Sequence, residues 1–154
     1  MTSTLMLKQN PQYELRLLLF SLLDETILYK GSPIKIYEAV PRGMPRPYVV
    51  LGDCTWDMDD TKDAFGEDYI LKVEIYTDYG GTLDNCAILN VVEEIISTAY
   101  NNKALQFSDP SAFCISLFWF GHGDTRVLRP EETVAAIELE QTVLDLQFRI
   151  KQHG

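Results

Sequence analysis

Cysteine is scarce and poorly placed for chemistry. Cys54, Cys86 and Cys114 are an odd number, far apart, with no C-x-x-C pair. This excludes the disulfide framework of a small secreted domain and makes a reducing compartment the natural setting. Histidine occurs only as His122 and His153, so no standard zinc spacing can be assembled. Each cysteine reads as a small buried hydrophobe. Basic residues are few: 13 Lys and Arg face 23 Asp and Glu, a net charge of −10. That balance excludes a protein that coats nucleic acid, which needs cations on the phosphates, and one that docks on an anionic membrane. Long apolar runs are absent as well. Leu15 to Leu23 is broken by Arg16 and Ser21, and the first eight residues lack a basic segment followed by an apolar one. Neither a signal peptide nor a membrane span is expected, so the chain should be made and kept soluble in the cytoplasm. G-x-x-x-x-G-K, G-x-G-x-x-G and G-x-S-x-G are all missing, which removes the phosphate cradles and the nucleophile elbow.

What is present is an ordinary globular composition, 46% hydrophobic in 154 residues. It is enough for one domain, residues 1–154, with its own core. Asn10 and Pro11 open a helix whose apolar positions Leu15, Leu18, Leu19, Leu22, Leu23 and Ile27 recur at helical spacing to about Tyr29. Leu17, Phe20 and Leu28 widen that stripe, so cover on more than one side is expected. Lys30-Gly31-Ser32-Pro33 ends it. Ile34 to Glu38 alternates as a short strand, Ala39 to Pro45 is a loop, and Tyr48 to Leu51 is a strand covered on both faces. In Tyr69 to Thr77, Leu71, Val73 and Ile75 share one face and Lys72, Glu74 and Tyr76 the other. A second helix runs from Thr82 or Asp84 to about Tyr100. Phe113 to Phe120 is an aromatic strand, Gly121-His122-Gly123-Asp124 a turn, and Thr125 to Leu128 a further strand or extension. Glu138 to Ile150 is a long strand whose alternation breaks near Val143-Leu144, which points to a bulge. The order gives an α+β fold, a mostly antiparallel sheet packed by two helices.

Two segments are candidates for function. The stretch from Asp53 to Asp68 carries Asp53, Asp57, Asp59, Asp60, Asp63, Glu67 and Asp68 against a single Lys62. A calcium loop starting at Asp57 would need Gly where Lys62 stands, and Glu where Asp68 stands. A two-metal enzyme would need these carboxylates held rigidly, and most fall in an expected loop. A solvated acidic hairpin is the simpler reading, and a loop facing a pore or a partner is the third. Leu117-Phe118-Trp119-Phe120 has no polar alternation, so both its faces need cover. One sheet and two helices leave that cover to a neighbouring subunit, which makes Phe118, Trp119 and Phe120 candidate interface residues.

The pieces Tyr13 to Tyr29, Ile36-Tyr37-Glu38-Ala39-Val40-Pro41, Pro45-Arg46-Pro47-Tyr48-Val49-Val50-Leu51-Gly52, Thr61-Lys62-Asp63, Leu71 to Thr77 and the helix after Gly80-Gly81 together resemble the tail terminator or tail completion family of long-tailed phages and gene-transfer particles. The closing strand Val143 to Ile150 is in keeping, whereas Asn101 to Ala136 departs from the pattern. The resemblance implies a structural virion protein, with no enzyme activity and no cofactor. It implies a homo-oligomeric ring, typically hexameric, at the head-proximal end of the tail. Such a ring ends tail-tube polymerisation, carries out head–tail joining through a head-completion or connector protein, and lets DNA pass without specific binding. Asp57, Asp59, Asp60 and Asp63 then become candidates for the bore or an axial face. The alternatives are another neck, connector or tail-tube component of related fold, and a small metal-dependent enzyme using Asp57 to Asp68.

Overall fold

The computed structural model describes residues 10–57, 66–78, 83–109, 112–133 and 137–152. Among them are two helices, α1 (Gln12–Leu23) and α2 (Leu83–Asn101). Seven strands accompany them: β1 (Leu28–Tyr29), β2 (Ser32–Pro33), β3 (Lys35–Tyr37), β4 (Tyr48–Trp56), β5 (Gly66–Asp78), β6 (Phe113–Leu128) and β7 (Leu139–Gln152). β1 and β2 form a small hairpin, and the other five make one sheet in the order β3-β4-β5-β7-β6. β3 runs parallel to β4, and every other pair in that sheet is antiparallel. The α+β class read from the sequence is the class of the structure.

The strand alternation places the core. Tyr69, Leu71, Val73 and Ile75 of β5 face α1 and α2, as do Leu144, Leu146, Phe148 and Ile150 of β7. From the helices, Leu15, Leu19 and Leu23 meet Ile88, Val92 and Ile96 over this face, all of them fully buried. On the opposite face Lys72 pairs with Asp145 at 2.8 Å and Arg149 with Asp68 at 2.8 Å. Lys72, Glu74 and Tyr76 lie there together, as the period of two requires.

Five elements differ from their sequence expectation. α1 stops at Leu23, not Tyr29, because Asp24 is extended and Glu25 has a φ of 61°. Thr26 Oγ1 donates to the Leu22 carbonyl at 2.7 Å and closes the end. Ile27 keeps the helical period yet is buried from a strand approach, and Lys30-Gly31, both at positive φ, form the β1–β2 turn. β4 and β5 reach into the acidic stretch: Asp53 lies in β4, and Glu67 and Asp68 lie in β5. Gly121 to Asp124 is no turn; β6 runs through it with a register shift between Phe120 and Gly123. A Cβ on Gly121 would meet the Gln147 side chain, which would have to move aside, so glycine gives the bulge its room against β7. β7 itself carries no bulge against β5.

The phase break at Val143-Leu144 has another cause. Asn85 of α2, 1% exposed, points into the sheet. Its Nδ2 donates to Thr142 Oγ1 at 2.9 Å, to the Ile75 carbonyl at 3.3 Å and to the Glu140 carbonyl at 3.4 Å, while its Oδ1 accepts from Thr77 Oγ1. Thr125 and Thr142 hydroxyls lie 2.9 Å apart. The inner face of β7 therefore turns polar at Glu140 and Thr142 while keeping strict alternation.

A second polar device joins layers. Arg16 on α1 donates through Nη2 to the Gly52 carbonyl at 2.7 Å and through Nη1 to the Leu51 carbonyl at 3.3 Å and to Glu38 at 3.0 Å. The β4 register shifts between Leu51 and Cys54, so these are the carbonyls the ladder releases. Charge-assisted bonds to such groups contribute more than neutral ones. Replacing Arg16 by Met should lower unfolding free energy by about 2 kcal/mol. Urea denaturation checks this, and a midpoint unchanged from wild type would remove the clamp from the account.

Candidate functional site

The expected site residues separate in the structure. Asp57 is exposed at the end of β4, with its backbone N–H donating to the Asp68 carbonyl at 3.4 Å. Asp59, Asp60 and Asp63 lie outside the described residues. Phe118 is core: it is 6% exposed, and its ring lies 5.0 Å from Phe148, 5.1 Å from Phe120 and 5.6 Å from Tyr100. Phe120 is half-buried against that core, on the same face. Trp119, opposite Gln147, turns to the face without helices, near exposed Leu117. Of the aromatic run, Leu117 is exposed, and Trp119 and Phe120 are each half-buried.

His122 is exposed within β6. Cys86 is exposed on α2, contrary to the buried place expected, because it lies off the Ile88-Val92-Ile96 stripe. Cys54 and Cys114 are half-buried. Burial pushes the Cys54 thiol up to about 11 despite the opposing Arg16 charge, so it stays protonated and unreactive near neutrality. Among the described residues no three His, Cys, Asp or Glu side chains come together as a metal site, and no helix is long and apolar enough to cross a membrane.

Surface features that sequence reasoning missed lie at the two ends of the sheet. Tyr37, Tyr48 and Tyr76 form an aromatic row on the helix-free face, with ring centroids 5.8 Å and 5.5 Å apart. Gln141 donates to the Tyr76 hydroxyl at 2.7 Å and accepts from Arg126 Nε at 3.1 Å, which extends the row to the β6 edge. Above it the β3–β4 loop arches over a cavity of about 940 Å³ floored by Tyr48, Val50, Glu74 and Tyr76. At the other end, α1 and residues 106–109, 112 and 113 border a groove of about 460 Å³. Tyr13 and Leu17, 70% and 49% exposed, stand one turn apart on α1 beside it. The widened Leu stripe was the available signal for that face. Nothing in the sequence announces a tyrosine row spread over three strands.

Residues 21–151 match the family described as tail completion protein gp17. The chain belongs to that family. Members are components of phage tail assembly, and the sequence resemblance pointed to the same place. A chain in the virion of a native gene transfer agent particle has a similar fold: TM-score 0.54 at 18% identity, covering 91% of this chain and 90% of that one. At that identity the likeness speaks for the fold. No curated protein matches the sequence.

One buried group stands apart from the family's structural role. Both carboxylate oxygens of Glu140 are buried without a hydrogen-bond donor among the described residues, and the residue is 0% exposed. Burial, then the Asp84 charge, raises its pKa above 4.5. A raised carboxyl binds its proton more tightly in the folded state. Its contribution is therefore fully present below the unfolded pKa and lost as pH rises through the folded one. Glu140→Gln should remove that pH-dependent loss. The stability difference, variant minus wild type, should grow from pH 4 towards neutrality, read as a rising difference in Tm. Parallel thermal-melting curves across that range would refute the assignment.

Proposed function

We propose that the protein forms a ring at the head-proximal end of the tail. The ring stops polymerisation of the tail-tube protein, presents the surface that a head-completion or connector protein joins, and leaves a bore through which DNA passes. The observation that carries this reading is the match of residues 21–151 to a tail completion family. Three features of the molecule support it. β6 offers a strand of 16 residues at an open sheet edge, and Tyr13, Leu17 and Leu117 expose apolar surface that a second copy can cover. The net charge of −10 suits a passage that DNA crosses without sticking.

Within this reading the acidic residues Asp57, Asp59, Asp60 and Asp63 line the bore or an axial face. Trp119, with Leu117 beside it and Phe118 and Phe120 holding the strand from below, lies at a subunit interface. The role is structural, the ring is a hexamer, and the protein resides in the virion after assembly in the host cytoplasm. A tube or neck component of related fold would behave differently, because tube proteins add to growing ends.

Electron microscopy of the purified protein, alone and mixed with isolated tails, tests this. Rings, or added density at one tip only with no further tube growth, are expected. Tubes lengthened by the added protein, or particles lacking it that still couple heads to tails of normal length, would defeat the proposal.

A further inference from the structure

The loop between β3 and β4 carries Pro41, Pro45 and Pro47, and the fold does not use its tip as core. Pro41, Arg42 and Gly43 are exposed at its tip, and the cavity beneath shows that the loop arches clear of the sheet. Gly43, at a φ of 75°, makes the turn of that tip. The tip offers two apolar groups, Pro41 and Met44, around one cation. Among the described residues Arg42 has no ion-pair or hydrogen-bond partner.

The groove beside α1 has the complementary character. Leu17, Leu18, Phe107 and Phe113 supply its apolar lining, and Glu14 and Asp109 stand on it as acids. Glu14, in the first turn of α1, is exposed and also has no partner among the described residues. The loop leaves the sheet at the Tyr48–Tyr76 end and lies on the helix-free face. The groove lies on the helical face, at the end where Phe113 pairs with Gln152. Loop and groove thus sit on opposite faces and at opposite ends of one molecule. A contact between them joins unlike surfaces of two copies, the head-to-tail arrangement that builds a ring where its rotation closes.

We propose that the loop tip Pro41-Arg42-Gly43-Met44 of one subunit docks in the groove between α1 and residues 106–109, 112 and 113 of the next, with Arg42 meeting Glu14. This rests on the ring reading above and names its subunit contact. Apolar burial holds the contact, and the ion pair sets its direction, because a copy approaching with acid towards acid is repelled. The occupant is a second copy and not an unrelated partner because the chain's own exposed loop matches the groove in both charge and apolar character.

The test uses the full-length protein with Cys86, the exposed thiol, replaced by Ser. Cysteines placed at Arg42 and Ser21, the latter on the groove, should be joined by a short bismaleimide into a ladder beginning at the dimer. Either cysteine alone should give only monomer. In parallel, Glu14→Lys and Arg42→Glu should each weaken self-association about tenfold, and the two together should restore it. Sedimentation of the free protein and electron microscopy on tails read the result. Rings that form without cross-links and ignore the charge reversals would overturn this contact while leaving the ring intact. Absence of self-association both in solution and on tails would overturn the contact and the ring together.

Discussion

The fold depends on the unbroken ladder between β5 and β7. Every residue from Gly66 to Asp78 has a partner between Leu139 and Lys151, with no register shift. A slip of one residue would turn Leu71, Val73 and Ile75 outward and drive Lys72 and Glu74 into the core. The register is therefore fixed by side-chain burial along the whole length. The two strands are roughly 70 residues apart in the chain, so α2 and β6 must be accommodated before the ladder can close, a non-local pairing that slows folding. Irregularity is confined to the flanks. β4 shifts register beside Gly52 and β6 beside Gly121. At each glycine a Cβ would run into a side chain of the central pair, Glu74 or Gln147. The spine stays regular because its neighbours absorb the added twist.

How much of this was legible in the sequence follows from the same division. β5 alternates cleanly because one of its faces meets only core, so the period of two was readable from Tyr69 to Thr77. α2 was readable because Ile88, Val92 and Ile96 keep one stripe. β7 misled because its inner face changes from apolar to polar at Thr142 and Glu140, where Asn85 of α2 docks. A periodicity argument sees hydrophobicity, not burial, and a buried threonine that satisfies a buried amide looks like a break. α1 misled for the opposite reason: Ile27 continues the helical spacing by coincidence, after the backbone has already left the helix at Asp24. Gly121-His122-Gly123-Asp124 has the composition of a turn, but a β-bulge uses glycine for the same freedom. The candidate site was less legible than the fold. Phe118 and Trp119 are adjacent in sequence yet lie on opposite faces, so one serves the core and the other the surface.

The electrostatics of the sheet bear on assembly. On the helix-free face Lys72 of β5 is engaged with Asp145, and Arg149 of β7 with Asp68. Such half-exposed pairs add little stability. Their larger effect is to neutralise basic groups within the molecule and leave the surplus of acid as its outward field. Copies each bearing −10 repel at a distance.

That repulsion decides what kind of contact can hold such copies together. It cannot be a broad electrostatic one, since the long-range term has the wrong sign. It must be short-ranged: apolar surface removed from water, with opposite charges juxtaposed only where two copies already touch. Tyr13 and Leu17 expose apolar surface on α1, and Leu117 exposes it on β6. Salt then acts on the two terms in opposite directions, relaxing the repulsion between whole subunits more than it weakens a desolvated pair at close range. A surface that is acidic overall and apolar only in patches discourages random aggregation and DNA adhesion alike, and in the proposed ring it would leave matched patches as the route by which one copy recognises the next.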